Sequence, residues 1–172
     1  MKWLRASLFT QAILAFYFQA VQWLPLGDWN YQPADPRPSS FQSELPLSVL
    51  AAQGRLTARD VFYVALCAVP FAVFLFAYSR GLRWLMWLYA GVYSAWLALQ
   101  IVAWWFPYAF GRTDAQIQRY ERVTSHATQL LPSFGRHLPP DGAHVVIQGL
   151  LVVVLVTALV GLLKSTSHVK AV

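Results

Sequence analysis

One segment constrains the fold of this chain more than any other feature. Residues 145–163 read VVIQGLLVVVLVTALVGLL, nineteen positions without an ionisable side chain. A helix of about 20 apolar residues, rising about 1.5 Å per residue, matches a hydrocarbon core about 30 Å thick. The segment therefore predicts a helix that crosses a lipid bilayer.

Three further apolar segments, residues 3–26, 61–79 and 84–106, are also long enough to span a bilayer with some tilt. The composition agrees, because 58% of the residues are hydrophobic and 12% are charged, whereas soluble domains carry about 25% charged residues. The first segment has a long apolar region and no clear cleavage site, so we expect it to be retained. We therefore predict an all-α fold, a single polytopic domain over residues 1–172 in which four transmembrane helices form a bundle.

The basic residues predict the orientation of the chain. Loops 27–60 and 107–144 contain seven basic and seven acidic residues. Since Lys and Arg concentrate in short cytoplasmic segments, we expect a multi-pass protein of the cell inner membrane with both termini in the cytoplasm. Isolated basic residues beside helix ends do not form a nucleic-acid surface, so we expect no nucleic-acid partner. Six basic residues flank the spans on the other side, with no acid among them: Lys2, Arg5, Arg80, Arg83, Lys164 and Lys170.

The two long loops carry helices of their own. Thr113 and Gln116 fit a capping box, and apolar or small side chains recur after them at helical spacing. We expect an amphipathic helix over about residues 114–131 that covers the outer end of the bundle. In the first loop, residues 46–60 predict a short helix followed by a cap for the second span.

Aromatic and amide side chains within the spans mark a candidate binding site. Four of them recur at i, i+4, i+7 and i+11 on one face of the third span, and further amides lie in the first and fourth spans. One interpretation is packing and interhelical hydrogen bonding, and the other is a wall and polar lining for a lipophilic small molecule. No Asp, Glu, Lys or His lies mid-span, which argues against a proton relay or an ion-coupled pump. The candidate ligand-binding residues are Tyr89, Tyr93, Trp96, Gln100, Gln11, Gln19 and Gln148.

The second loop contains the side chains that an enzyme would need. Within it, an H-x3-D-x2-H pattern matches no strong metal-ligand motif, and neither a nucleophile pair nor a pair of acids stands out. We therefore predict no metal and no cofactor. The candidates for chemistry at the outer surface are His126, His137, Asp141, His144, Glu121 and Arg122.

A set of motifs runs from the end of the third span into the fourth. They are Trp104-Trp105-Phe106-Pro107-Tyr108 with Gly111, Leu131-Pro132 with Gly135, and Pro139 with His144-Val145-Val146. In these residues the chain resembles a family of small bacterial four-span membrane proteins, a resemblance that implies architecture and no activity. The layout also resembles quinone-linked disulfide oxidoreductases, claudins and the sterol-binding EXPERA group. The loop cysteine pairs of the oxidoreductases and the signature of the claudins are absent, and no EXPERA motif is matched.

Three classes of function follow from these observations. The leading one is a non-enzymatic integral membrane protein that acts as an accessory or interaction subunit or binds a lipophilic molecule. Its expected partners are membrane lipids, a lipophilic small molecule, and a membrane-protein partner or a second copy of the chain. The second class is a membrane enzyme that acts on a lipid or quinone at the outer surface. The third is an oligomeric transporter or channel, because four helices rarely enclose a pore alone.

Overall fold

The computed structural model describes residues 2–29, 46–124 and 127–167. Within these ranges all regular secondary structure is helical, which confirms the predicted all-α class. A π-helical segment (Ile101–Trp105) joins α4 to α5, and a 3-10 turn (Gly27–Trp29) follows α1. The helices are α1 (Lys2–Trp23), α2 (Leu47–Ala52), α3 (Ala58–Ser79), α4 (Arg83–Gln100), α5 (Phe106–Phe110), α6 (Asp114–Thr124) and α7 (Gly142–Ser167).

Among the described residues, three helices are long and apolar enough to cross a membrane. They are Ala58–Ser79, the continuous helix Arg83–Phe110 and Gly142–Lys164. Each carries large apolar side chains on its outward face, such as Phe62 on α3 and Leu99 on α4. Apolar surface of this extent is stable when lipid rather than water covers it. These features are those of a membrane protein.

The polarity of α1 is arranged in the opposite way to that of a helix in a soluble protein. Ser7 and Gln11 are buried inside the bundle, whereas Phe9 and Phe16 are 67% and 77% exposed on its outside. α1 packs against α7 and α3, and α4 packs against the same two helices. The four long helices thus share one core, although α1 is not among the three that satisfy the length and hydropathy of a span.

Aromatic side chains of α3 and α4 fill the centre of this core. Phe74 stacks on Tyr78 with 4.2 Å between ring centroids, and it meets Tyr89 and Tyr93 edge-on at 5.3 and 5.4 Å. Such offset and edge-on pairs are the favoured geometries of aromatic rings. Aliphatic side chains of α1 and α7 complete the core: Leu14, Ile147, Leu151, Val154, Ala158 and Leu162.

The capping signals predicted in the loops are confirmed. The Thr57 side chain accepts a hydrogen bond from the Asp60 N–H, and the Asp60 carboxylate accepts one from the Thr57 N–H. Thr113 and Gln116 form the same reciprocal pair of bonds at the start of α6. Each pair satisfies two backbone N–H groups that the first helical turn leaves without intrahelical partners.

The helix predicted over residues 114–131 is too long, because α6 ends well before residue 131. Beyond it, the Thr128 N–H donates to the Asp28 carbonyl at 2.7 Å, and the Thr128 carbonyl accepts from the Gly142 N–H at 2.6 Å. These bonds tie the start of the first loop to the start of α7. They satisfy backbone groups that a longer helix would have used, so tertiary contacts override the local helical pattern.

Candidate binding groove between α4 and α7

A widened turn interrupts the continuous helix formed by α4 and α5. Residues Ile101–Trp105 are π-helical, and Pro107 follows them near the start of α5. A proline ring has no N–H to donate and clashes with the carbonyl four residues earlier, here that of Ala103, so the preceding turn opens. In a π turn the backbone bonds run between residues five apart. The turn therefore brings Gln100 and Trp105 onto the same face of the helix.

Gln148 of α7 bonds to both of these side chains. The Trp105 indole Nε1–H donates to the Gln148 Oε1 at 2.6 Å, and the Gln148 Nε2 donates to the Gln100 Oε1 at 3.3 Å. Gln148 is buried. Hydrogen bonds between helices within a membrane average about 0.6 kcal/mol and reach about 1.7 kcal/mol. Together the two bonds fix α7 against the π turn.

A cavity of about 480 Å³ lies beside this network, between α4 and α7. Two residues at its edge, Ile101 and Val152, are each 46% exposed, so the cavity opens sideways on the outside of the bundle. Gly149 keeps it open, since an added Cβ there would meet no atom within 4 Å. Its volume falls within the range of about 300–1,000 Å³ that is usual for small-molecule sites. We call this cavity the groove; its lining residues are Leu97, Ile101, Trp105, Val145, Gln148, Gly149 and Val152.

A polar cluster lies where α7 begins, next to the groove residue Val145. Asp141 caps α7: its Oδ1 accepts from the His144 N–H at 2.9 Å, and its Oδ2 lies 2.7 Å from the His144 Nδ1. The buried carboxylate therefore holds a proton on Nδ1 and fixes the orientation of the imidazole. The His144 ring packs against the indole of Trp104, with 4.2 Å between the ring centroids.

Arg112 contacts the same indole. Its guanidinium carbon lies 5.6 Å from the Trp104 ring centroid and 4.9 Å from that of Tyr120. Its Nε and Nη2 donate to the Leu138 carbonyl at 3.4 and 3.2 Å. Arg112 is 8% exposed, and no carboxylate within the described ranges forms a salt bridge with it. Burial lowers the pKa of Arg112, an effect that Tyr120 partly opposes, but an arginine stays protonated at neutral pH.

Most of the predicted ligand-binding residues lie away from the groove. The Tyr93 hydroxyl donates to the Gln11 Oε1 at 2.6 Å and so links α4 to α1, while Gln19 accepts from an indole of its own helix. Of the seven predicted residues, Gln148 alone lines the groove, and Gln100 reaches it through its bond to Gln148. The aromatic residues pack in or against the core: Tyr89, Tyr93 and Trp96.

The candidates in the second loop are brought together only in part. Asp141 and His144 form the contact described above, whereas the His137 Nδ1 lies 2.8 Å from a backbone carbonyl of α5. Glu121 is exposed on α6. Within the described ranges, no group of three His, Cys, Asp or Glu side chains is placed to hold a metal ion. Two candidates lie outside the described residues, His126 and the side chain of Arg122.

Sequence reasoning missed three residues that shape this region. Trp105 has the position of a tryptophan at the membrane interface, and only the π turn directs its N–H toward α7. Pro107 was the available signal for that turn. Gly149 and Arg112 carry no signal in the sequence, because their roles depend on an open space and on burial by residues distant along the chain.

Comparisons with protein-family models, with curated proteins and with solved structures find no match for this chain.

Proposed function

We propose that this chain is a non-enzymatic integral membrane protein of four spans that binds a lipophilic molecule in the groove between α4 and α7. The observation that carries the proposal is the direction of the opening. The groove faces outward between Ile101 and Val152, on the same apolar surface that needs lipid to cover it. An apolar chain therefore enters from the bilayer without crossing water, and Gln148 offers it one polar contact.

The fourth span is supported by the distribution of polarity along α1. At 22 residues α1 is about 33 Å long, which matches the hydrocarbon core. Its hydropathy is low because of groups such as Ser7 and Gln11, which the bundle buries, whereas Phe9, Ile13 and Phe16 face outward. Polar residues within a membrane are expected to face the bundle interior in this way.

A topology measurement tests the number of spans. With four spans both termini lie on one side of the membrane, and the concentration of Lys and Arg favours the cytoplasm as that side. With three spans the termini lie on opposite sides. Reporters active on only one side of the membrane, fused in turn to each terminus of the full chain, distinguish the two. Opposite signals from the two fusions would contradict the four-span proposal.

A matched pair of glycine variants tests the groove. Gly149→Leu places a branched side chain in the groove, whereas Gly91→Leu adds the same side chain on the exposed face of α4, where a Cβ also meets no atom within 4 Å. We expect wild-type protein purified in mild detergent to retain a lipophilic molecule in native mass spectra. Gly149→Leu is expected to lose it and Gly91→Leu to keep it. Retention in both variants, or no retained lipophilic molecule in the wild type, would contradict the proposal.

A second candidate function, chemistry on the bound lipid, is favoured by the pairing of Asp141 with His144. The carboxylate that holds the Nδ1 proton leaves the His144 Nε2 as the nitrogen suited to act as a general base. His144→Gln is then expected to abolish turnover of an added lipid while binding persists. The absence of any change in the lipid mass profile after incubation with wild-type protein would exclude this function.

A further inference from the structure

The polar end of the groove holds a positive charge for which the described residues supply no anion. Arg136 forms a salt bridge with Asp114, and the carboxylate of Asp141 bonds to His144. Arg112 has neither kind of partner within the described ranges, and it is 8% exposed. A charge removed from water is costly unless an opposite charge and hydrogen bonds compensate it. The cluster therefore favours the approach of an anion.

A short series of contacts connects this charge to the groove. The Arg112 guanidinium packs on Trp104, and Trp104 packs on His144. Trp105 and Val145, which follow Trp104 and His144 in the sequence, line the groove. The charge thus contacts residues adjacent in sequence to two groove-lining residues, with the charge at the loop end of the helices and the groove along their apolar length.

This inference rests on the proposed function and names its ligand. We propose that the groove binds an anionic phospholipid, with one acyl chain in the groove and the phosphate group beside Arg112. A guanidinium binds phosphate through two parallel N–H bonds, which are stronger than the contacts that Trp104 and Tyr120 provide through their rings. Phospholipid carries both of the required parts, an apolar chain and a phosphate, and the surrounding leaflet supplies it to a groove that opens sideways.

The test compares two lipids with identical acyl chains. Delipidated full-length protein is titrated with phosphatidylglycerol and with the diacylglycerol of the same acyl chains, which lacks the phosphate, and binding is followed by native mass spectrometry. We expect the wild type to bind phosphatidylglycerol at least about tenfold more tightly, as is typical of a hydrogen bond to a charged group. Equal binding of the two lipids would overturn the inference.

Variants of two arginines locate the preference. Arg112→Gln is expected to abolish it, whereas Arg80→Gln removes the same charge at the opposite end of α4 and is expected to leave it intact. Arg112→Lys keeps the charge without the planar fork and is expected to preserve part of the preference even if Arg112→Gln fails to fold. Two results would overturn the inference. One is a full preference for phosphatidylglycerol in both Arg112 variants, and the other is the absence of that preference from both the wild type and Arg80→Gln.

Two further results separate this inference from the proposed function and from a site for soluble anions. If Gly149→Leu loses both lipids and the wild type binds them equally, the groove is supported as the binding site and the assignment of an anionic ligand is contradicted. If Gly149→Leu binds both lipids as the wild type does, the proposed groove itself fails. Inorganic phosphate is expected to compete only weakly. Complete displacement of phosphatidylglycerol by phosphate would show a site for a soluble anion and overturn the lipid assignment.

Discussion

Replacing Tyr93 by phenylalanine removes one hydrogen bond between α4 and α1 and retains the aromatic packing of the core. The Tyr93 ring meets Phe74 at 5.4 Å and Trp96 at 6.3 Å, and a phenylalanine ring keeps both contacts. The hydroxyl donates to the Gln11 Oε1 at 2.6 Å. Tyr93→Phe therefore measures what this polar contact contributes to holding α1 in the bundle.

The structure bounds the size of the effect. Tyr93 and Gln11 are 2% and 1% exposed, and the Gln11 Nε2 has no hydrogen-bond partner within the described ranges. Loss of the hydroxyl thus leaves the whole Gln11 side-chain amide without a partner among the described residues. Interhelical bonds in membranes reach about 1.7 kcal/mol, and an unsatisfied buried polar group costs about 1–3 kcal/mol. We expect Tyr93→Phe to lower the free energy of unfolding by about 1–1.7 kcal/mol, where the two ranges overlap.

The assay is reversible unfolding in mixed micelles by an increasing fraction of a denaturing detergent, followed by tryptophan fluorescence. A double-mutant cycle of Tyr93→Phe with Gln11→Leu isolates the coupling energy between the two side chains. The matched control is Tyr89→Phe, which removes a hydroxyl one turn earlier on the same helix, where no hydrogen bond to a described residue is lost. We expect that control to change stability by less than about 0.5 kcal/mol.

Two results would refute this reasoning. A coupling energy near zero between the two variants would show that the bond does not hold α1 against α4. An equal cost for Tyr89→Phe and Tyr93→Phe would show that the loss reflects a general response of the core to a missing hydroxyl.

Three further predictions concern the loop end of the bundle. Gly142→Ala is expected to lower the free energy of unfolding by about 1–3 kcal/mol, because the new Cβ would lie 2.9 Å from the indole ring of Trp29 in the first loop. Thermal unfolding measures the loss, with Gly149→Ala as the control. Asp141→Ala removes the cap of α7 and is expected to cost about 0.5–2 kcal/mol, with NMR spectra showing that the His144 imidazole loses its fixed tautomer. Burial lowers the pKa of Arg112, yet the side chain is protonated both folded and unfolded, so no proton is exchanged on folding. The stability difference between wild type and Arg112→Gln is therefore expected to stay constant between about pH 5 and pH 9, and a slope would contradict it.

The apolar helices were predictable because length and residue type alone decide whether a segment matches the membrane. The predicted segments 61–79, 84–106 and 145–163 all lie within observed helices. The segment 3–26 was set too long, since α1 ends at Trp23, ahead of Pro25, whose ring disfavours helical geometry in the residue before it. The two capping boxes were also predictable, because each depends on the types of two residues three positions apart in the sequence.

The groove was less predictable, because it depends on how two distant helices meet. The third span was predicted to end at residue 106, yet the helix contains a π turn over Ile101–Trp105 and continues to Phe110. The widened turn is stabilised because Gln148, more than 40 positions later, bonds to both Gln100 and Trp105. Likewise, the burial of Arg112 arises from Tyr120 and the loop around Leu138, which a reading of local spacing does not connect.

The pairing of α1 with α7 has a consequence for biosynthesis. The ribosome makes α1 before α7, yet α1 packs most extensively against α7, and the hydroxyls of Thr10 and Thr157 meet at 2.9 Å across that interface. During translation, the inward-facing hydroxyl and amide groups of α1 therefore cannot contact α7 until that helix has been synthesised. Until that helix emerges, α3 and α4 are the long neighbours available, the latter through the bond from Tyr93 to Gln11, and the core is completed when the last described helix joins the first.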